Sequence, residues 1–166
     1  MSLSESHEED RRYEESVLDS ALLADPVRVL RPRAALQVNP GDPVEVVAAK
    51  MREEKNGCAI VVDDKKLVGI FTERDLLMKE CAGKAVKEVM TADPECMRMD
   101  DTIGTALHKM VAGKYRNLPL VDESGEPAGV VTQAEAVRYL VGFFPREALN
   151  QPPNSVREQP PDQYGG

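Results

Sequence analysis

At 166 residues with 42% hydrophobic side chains, the chain fits one domain with a core of its own. A net charge of −8, 4% aromatic residues and no Trp argue against a surface that neutralises phosphates and stacks bases, so no nucleic acid is expected as a partner. The charge is uneven, with 8 acidic and 2 basic side chains in residues 1–26 against 18 and 17 in residues 27–144.

Residues 1–11 are polar and charged and are expected to form a disordered acidic leader. Tyr13, Val17, Leu18, Ala21 and Leu22 fall at helical spacing, which predicts an amphipathic helix over 12–24. Asp25-Pro26 reads as an N-cap and a first-turn proline and predicts one more turn through Leu30. Leu36 to Val38 reads as a strand. Asp42-Pro43-Val44-Glu45 predicts a capped helix start, with Val44, Val47, Ala48 and Met51 as the buried stripe. Cys58 to Val62 reads as an apolar strand, 63–66 as a tight turn, Leu67 to Phe71 as the returning strand, and Thr72 opens a helix through Met78. A second series follows: a strand near Cys96, a helix through Ile103, Ala106, Leu107 and Met110, and a strand from Leu118 to Val121. A turn over 123–126, a strand from Ala128 to Val131 and a helix from Thr132 to about Phe143 complete it. Residues 145–166 hold five prolines and hardly any large apolar residue, so a flexible Pro-rich tail is expected.

The second series repeats the first. At a spacing of 59, Asp42, Lys50, Met51, Lys55, Val62 and Asp63 recur as Asp101, Lys109, Met110, Lys114, Val121 and Asp122; at 60, Gly69-Ile70-Phe71-Thr72 is answered by Gly129-Val130-Val131-Thr132. A 60-residue unit alone buries only about 60% of its unfolded surface. The two copies, 25–84 and 85–144, are therefore expected to pack on each other through their sheets about a pseudo-twofold axis. Each reads strand, helix, strand, strand, helix, an α/β fold of the α+β type with function sought in the cleft between the copies.

Three cysteines (Cys58, Cys81, Cys96) without a CxxC spacing and two histidines (His7, His108) draw no metal site. The thiols read as reduced, in a cytoplasmic protein. Cys58 and Cys96 read as small core residues, since no histidine is placed to activate them. No apolar run approaches the ~20 residues of a membrane span, and an acidic leader is unlike a signal peptide, so no membrane partner is expected. With no paired-carboxylate metal cleft, no Ser or Cys beside a base and no GxxxxGK loop, no enzyme is expected either.

In both copies a strand runs into Thr-x-x-acid at a helix mouth, Thr72 with Asp75 and Thr132 with Glu135. One reading is a capping box, the hydroxyl accepting from the third N–H and the carboxylate reaching back. The other, compatible reading is a ligand site: open N–H groups favour a phosphate, and the acid one turn in suits a ribose diol.

The segments NGCAIVVDDKKLVGIFTERDLL and YRNLPLVDESGEPAGVVTQAEAV resemble the closing halves of two cystathionine-beta-synthase (CBS) domains, in the tandem arrangement called a Bateman module. The likeness spans about residues 27–143. It implies a regulatory module, with no required cofactor, that binds an adenosine-containing ligand (AMP, ADP, ATP, S-adenosylmethionine or NAD) and signals to an effector protein of unknown identity. It also implies a homodimer joined through helices; the alternative is a ligand-free dimeric interaction scaffold.

By that resemblance, site A takes Ile70, Thr72 and Asp75 from one copy and Pro94, Glu95, Arg116, Asn117, Leu118 and Pro119 from the other. Thr72 would meet phosphate, Asp75 the ribose, Leu118 and Pro119 the base, and Arg116 the phosphate, with Arg74 replacing or assisting it. Arg116 also reads as a solvated loop arginine and Pro119 as an edge-strand marker. Glu95 departs from the apolar residue common there. Site B takes Val130, Thr132 and Glu135 with Ala35, Leu36, Gly57, Cys58 and Ala59. Gly57 stands where Arg116 stands, leaving no charge for phosphate, so site A is expected to be occupied and site B weak or empty.

Overall fold

A computed structural model of the chain describes residues 20–143. The expected leader, most of the helix over 12–24 and the tail from Pro145 lie outside the described residues. Residues 20–24 are helical and lead to a 3-10 turn, Val27–Leu30. Asp25 does not cap that turn, which starts one residue later than expected, behind an extended Pro26. The Asp25 carboxylate instead accepts from the Tyr139 hydroxyl at 2.5 Å.

The first half contains β1 (Leu36–Val38), α1 (Val44–Glu53), β2 (Cys58–Asp63), β3 (Lys66–Thr72), α2 (Glu73–Met78), α3 (Val86–Val89) and β4 (Thr91–Ala92). These strands make one sheet in the order β1-β2-β3-β4, parallel between β1 and β2 and antiparallel thereafter. The β2–β3 turn is tight because Asp64 and Lys65 both adopt positive φ, 44° and 64°. Val44, Val47 and Met51 bury one stripe of α1. Its N-cap is Pro43 rather than Asp42, whose carboxylate accepts from Asn39 N at 3.0 Å, and Glu45 accepts from Gly83 N at 2.7 Å instead of reaching back to the cap.

The second half contains α4 (Ile103–Ala112), β5 (Asn117–Val121), β6 (Pro127–Thr132) and α5 (Gln133–Val141). The strand expected near Cys96 is reduced to a single parallel bridge, Met97 with Leu120. The same bridge pattern closes β1 on β2 through Val38 and Val61. A short helix (α3) and a short strand (β4), both absent from the sequence reading, precede it.

The halves are interlocked by an exchange of arms. Val27 donates its N–H to Asp101 O at 2.8 Å and packs in the second core with Met97, Ala106, Met110, Leu118, Leu120 and Val131. Fifty-nine residues on, Val86 donates to Asp42 O at 2.9 Å and packs with Val89 in the first core, on Val44, Val47, Phe71 and others. A third cluster of Cys58, Ile60, Ile70 and Val130 joins the sheets. The mixed sheet-and-helix arrangement is thus the α/β one expected, with the cleft at the meeting of the halves.

Candidate functional site

The two Thr-x-x-acid motifs form capping boxes. Thr72 N and Thr72 Oγ1 both donate to Asp75 Oδ2 at 2.8 Å, and Thr132 N donates to Glu135 Oε2 at 2.9 Å. At each helix mouth the first N–H is already engaged: Glu73 N donates to Gly57 O at 3.1 Å and Gln133 N to Arg116 O at 2.9 Å. These bonds tie each helix start to the loop that precedes β2 or β5. The result is a hydrogen-bonded floor at each helix start.

Above the first floor lies a cavity of about 490 Å³, within the range of small-molecule sites. Ile70, Thr72, Arg74, Asp75, Pro94, Glu95, Arg116, Asn117 and Pro119 line it, drawn from both copies. Leu118 does not. It is 1% exposed and packs in the second core, because successive strand residues face opposite ways and Asn117 and Pro119 take the cleft side. Leu118 is therefore a core residue and not a base contact.

Several lining residues escaped sequence reasoning, among them Glu73, Thr91, Asp93, Lys114 and Tyr115. Lys114 and Tyr115 have a local cause. Lys114 adopts φ 55°, Tyr115 N bonds to Met110 O at 2.9 Å and Lys114 N to Val111 O at 3.3 Å, which is the Schellman ending of α4. The Tyr115 ring lies against Gly113, where a Cβ would come within 2.0 Å of it. A glycine followed by a lysine and an aromatic after an apolar helix is the signal that could have been read.

Seven charged side chains line this cavity: Glu73, Asp75, Asp93 and Glu95 against Arg74, Lys114 and Arg116. Two of the carboxylates are neutralised from outside the lining. Lys79 holds Asp75 Oδ1 at 2.7 Å and Lys109 pairs with Glu95. The remainder is three cations against two anions, a balance suited to an anionic ligand. Arg74 reaches across the cleft to Lys114 O at 3.3 Å, while the Arg116 side chain is exposed at the rim.

The second cleft is smaller, about 70 Å³, lined by Ala35, Leu36, Gly57, Cys58, Val130 and Thr132 together with Arg33, Lys55 and Asn117. Gly57 and Thr132 line the first cavity too. Ala59 does not line the second. It is fully buried in the first core, on the opposite face of its strand from Cys58. Glu135 is also absent from the lining, its Oε1 accepting from Arg33 Nε at 2.9 Å. The expectation that no charge stands there is corrected by Arg33 and Lys55.

Burial raises the Cys58 thiol to about 11. Burial alone would raise the Glu135 carboxyl as well, but the bonds from Arg33 and Thr132 outweigh it and leave its pKa below the usual carboxylate value. All three cysteines are free thiols. Among the described residues no group of His, Cys, Asp and Glu is placed to hold a metal ion, and no helix is long and apolar enough to cross a membrane.

A family model described as "CBS domain" matches residues 31–80 and 86–142. The chain is 38% identical over 128 residues to the CBS domain-containing protein CBSCBSPB1 of Arabidopsis thaliana, covering 74% of this chain but only 22% of that protein. Among solved structures it is similar to CBSX2 in complex with AMP (26% identity, TM-score 0.63, covering 69% of this chain and 94% of that one). It is also similar to the cytosolic domain of the Mg2+ channel MgtE in complex with ATP (26% identity, TM-score 0.56, covering 63% and 44%).

Proposed function

Because the chain belongs to the CBS-domain family and carries two copies, we propose that its larger cleft binds an adenosine-containing ligand bearing phosphate and signals its presence to another protein. The observation that carries this reading is the cleft of about 490 Å³ between the copies, in which Arg74, Lys114 and Arg116 stand with the Thr72–Asp75 floor. Arg74, Lys114 and Arg116 would meet phosphate and Asp75 the ribose hydroxyls, while Tyr115 offers an aromatic face and Pro119 an apolar one to the base. The AMP- and ATP-bound relatives support this class of ligand. The module would act by population shift: a ligand bridging both copies favours the arrangement in which they are closed on it, and the surface shown to an effector changes with it.

A panel of AMP, ADP, ATP, S-adenosylmethionine and NAD in a thermal-shift assay tests the reading. Ligand at 100 times its dissociation constant stabilises the fold by about 2.7 kcal/mol, a rise of several degrees in Tm. No shift with any of the five refutes it.

We also propose that two copies associate through helix faces. Leu77 and Met78 on α2 are 85% and 77% exposed, and Val137, Val141 and Phe143 are exposed on and just beyond α5. Large apolar side chains left exposed on two helices favour a partner surface. A monomeric mass by light scattering at micromolar concentration rules this out.

A further inference from the structure

Among the differences between the two clefts, one lies at an exchanged position. Ile70 pairs with Thr91 in the first sheet, and its counterpart Val130 bridges to Arg33. Arg33 therefore stands where the open cleft has Thr91. The acids below answer each other as well: Asp75 and Glu135 each give one oxygen to the N–H of their capping threonine.

The other oxygen separates them. Asp75 Oδ1 is held at 2.7 Å by Lys79, one turn along the same helix, so nothing is drawn into the groove. Four residues after Glu135 stands Tyr139, whose hydroxyl is committed to Asp25 at 2.5 Å. Glu135 Oε1 takes Arg33 Nε at 2.9 Å instead. The Arg33 side chain stays 60% exposed while Glu135 is 8% exposed, so the guanidinium lies on the solvent side of the acid, and Arg33 rather than Glu135 lines the cleft. What is left is about 70 Å³ against about 490 Å³ on the other side.

We propose that Arg33 is an internal occupant of the second cleft. Its guanidinium satisfies the carboxylate that a ribose diol would otherwise meet, so the chain takes one adenosine ligand and keeps a latent second site of the same ligand class behind this one side chain. The inference rests on the ligand reading of the first cleft, and its test separates the two. Thr132 and Glu135 already have the capping arrangement of Thr72 and Asp75, and although Gly57 and Ala134 stand where the first cleft has Arg116 and Arg74, Lys55 lines the second cleft as Lys114 lines the first.

Calorimetric titration of AMP into the full chain and into Arg33→Ala reads the outcome as stoichiometry. One AMP per chain is expected for the wild type, two for Arg33→Ala, and one again for Arg33→Ala combined with Glu135→Gln. Melting curves establish that each variant is folded. Removing the guanidinium leaves the Glu135 carboxylate without its cation, so Arg33→Gln, which keeps hydrogen-bond donors, is titrated alongside and read the same way. A stoichiometry that no Arg33 substitution changes overturns the proposal. If the wild type binds none and Arg33→Ala binds one, the reading of the first cleft fails and only the assignment of Arg33 as the second cleft's occupant stands. If neither binds, both fail.

Discussion

Leu118→Ala removes three carbons from a side chain that is 1% exposed, a loss of about 2.4 kcal/mol at roughly 0.8 kcal/mol for each buried methylene. To this is added whatever cavity its neighbours leave open. Those neighbours include Met97 and Met110, unbranched side chains that adjust to fill gaps, so the total belongs in the lower part of the 2–5 kcal/mol range for Leu→Ala, at about 3 kcal/mol. For a folded part of this size that is a fall in Tm of about 10 °C. Urea unfolding measures the stability and AMP titration well below the new Tm measures the site. A core residue predicts the full stability loss with ligand affinity within about twofold of wild type, since less than ~0.3 of a tenfold step corresponds to under ~0.5 kcal/mol. A stability loss below about 1 kcal/mol together with a tenfold weaker site would place Leu118 on the base instead of in the core.

Arg116→Ala, at an exposed rim position, is expected to leave stability within about 0.5 kcal/mol while weakening a phosphate ligand roughly tenfold or more, the worth of a charge-assisted hydrogen bond; equal AMP titrations for variant and wild type contradict this. The Glu135 carboxyl, its pKa held below the usual value against burial by Arg33 and Thr132, contributes stability that is complete above its unfolded pKa of about 4.3. That stability is lost as pH falls through the lower folded value. Arg33→Ala should therefore flatten or reverse that part of the acid limb in a plot of Tm against pH, and an unchanged limb sinks the assignment. Cys58, raised to about 11, should hold only about 0.1% thiolate at pH 8, the reactive form. Thiol labelling of the folded protein followed by peptide mapping should therefore find Cys58 the last cysteine modified, and early modification counts against its burial.

The strands around the cleft were legible because their residues alternate or run apolar between turn signals, and both Thr-x-x-acid boxes could be read from four letters each. Errors at the site share a cause. Ala59 and Leu118 occupy the same place in the two copies and were both assigned to a cleft along with their neighbours. A strand sends alternate side chains to opposite faces, so a run of consecutive residues cannot all line one pocket. Arg33 was missed for a different reason: it lies 102 residues from Glu135, and no local pattern announces a partner that a sheet edge delivers from the far side of the molecule. Asp42 and Asp25 were misread as caps because Asp-Pro satisfies the composition of a helix start; the carboxylates turned instead to Asn39 N and Tyr139. Lys114 and Lys55 take left-handed turns that sequence rules associate with glycine, which hid Tyr115 from view.

The traded arms carry a practical lesson about where this protein is cut. The segment matched by the family model begins at residue 31, beyond Val27, which seals the second core without any exposure. Trimming to the matched boundaries would strip a wedge from the half farther along the chain from the cut, and the damage would be felt at β5 and α4 rather than at the new end. Stability here is shared property: each half borrows its closing piece from the stretch of chain leading into the other, so neither is a free-standing module.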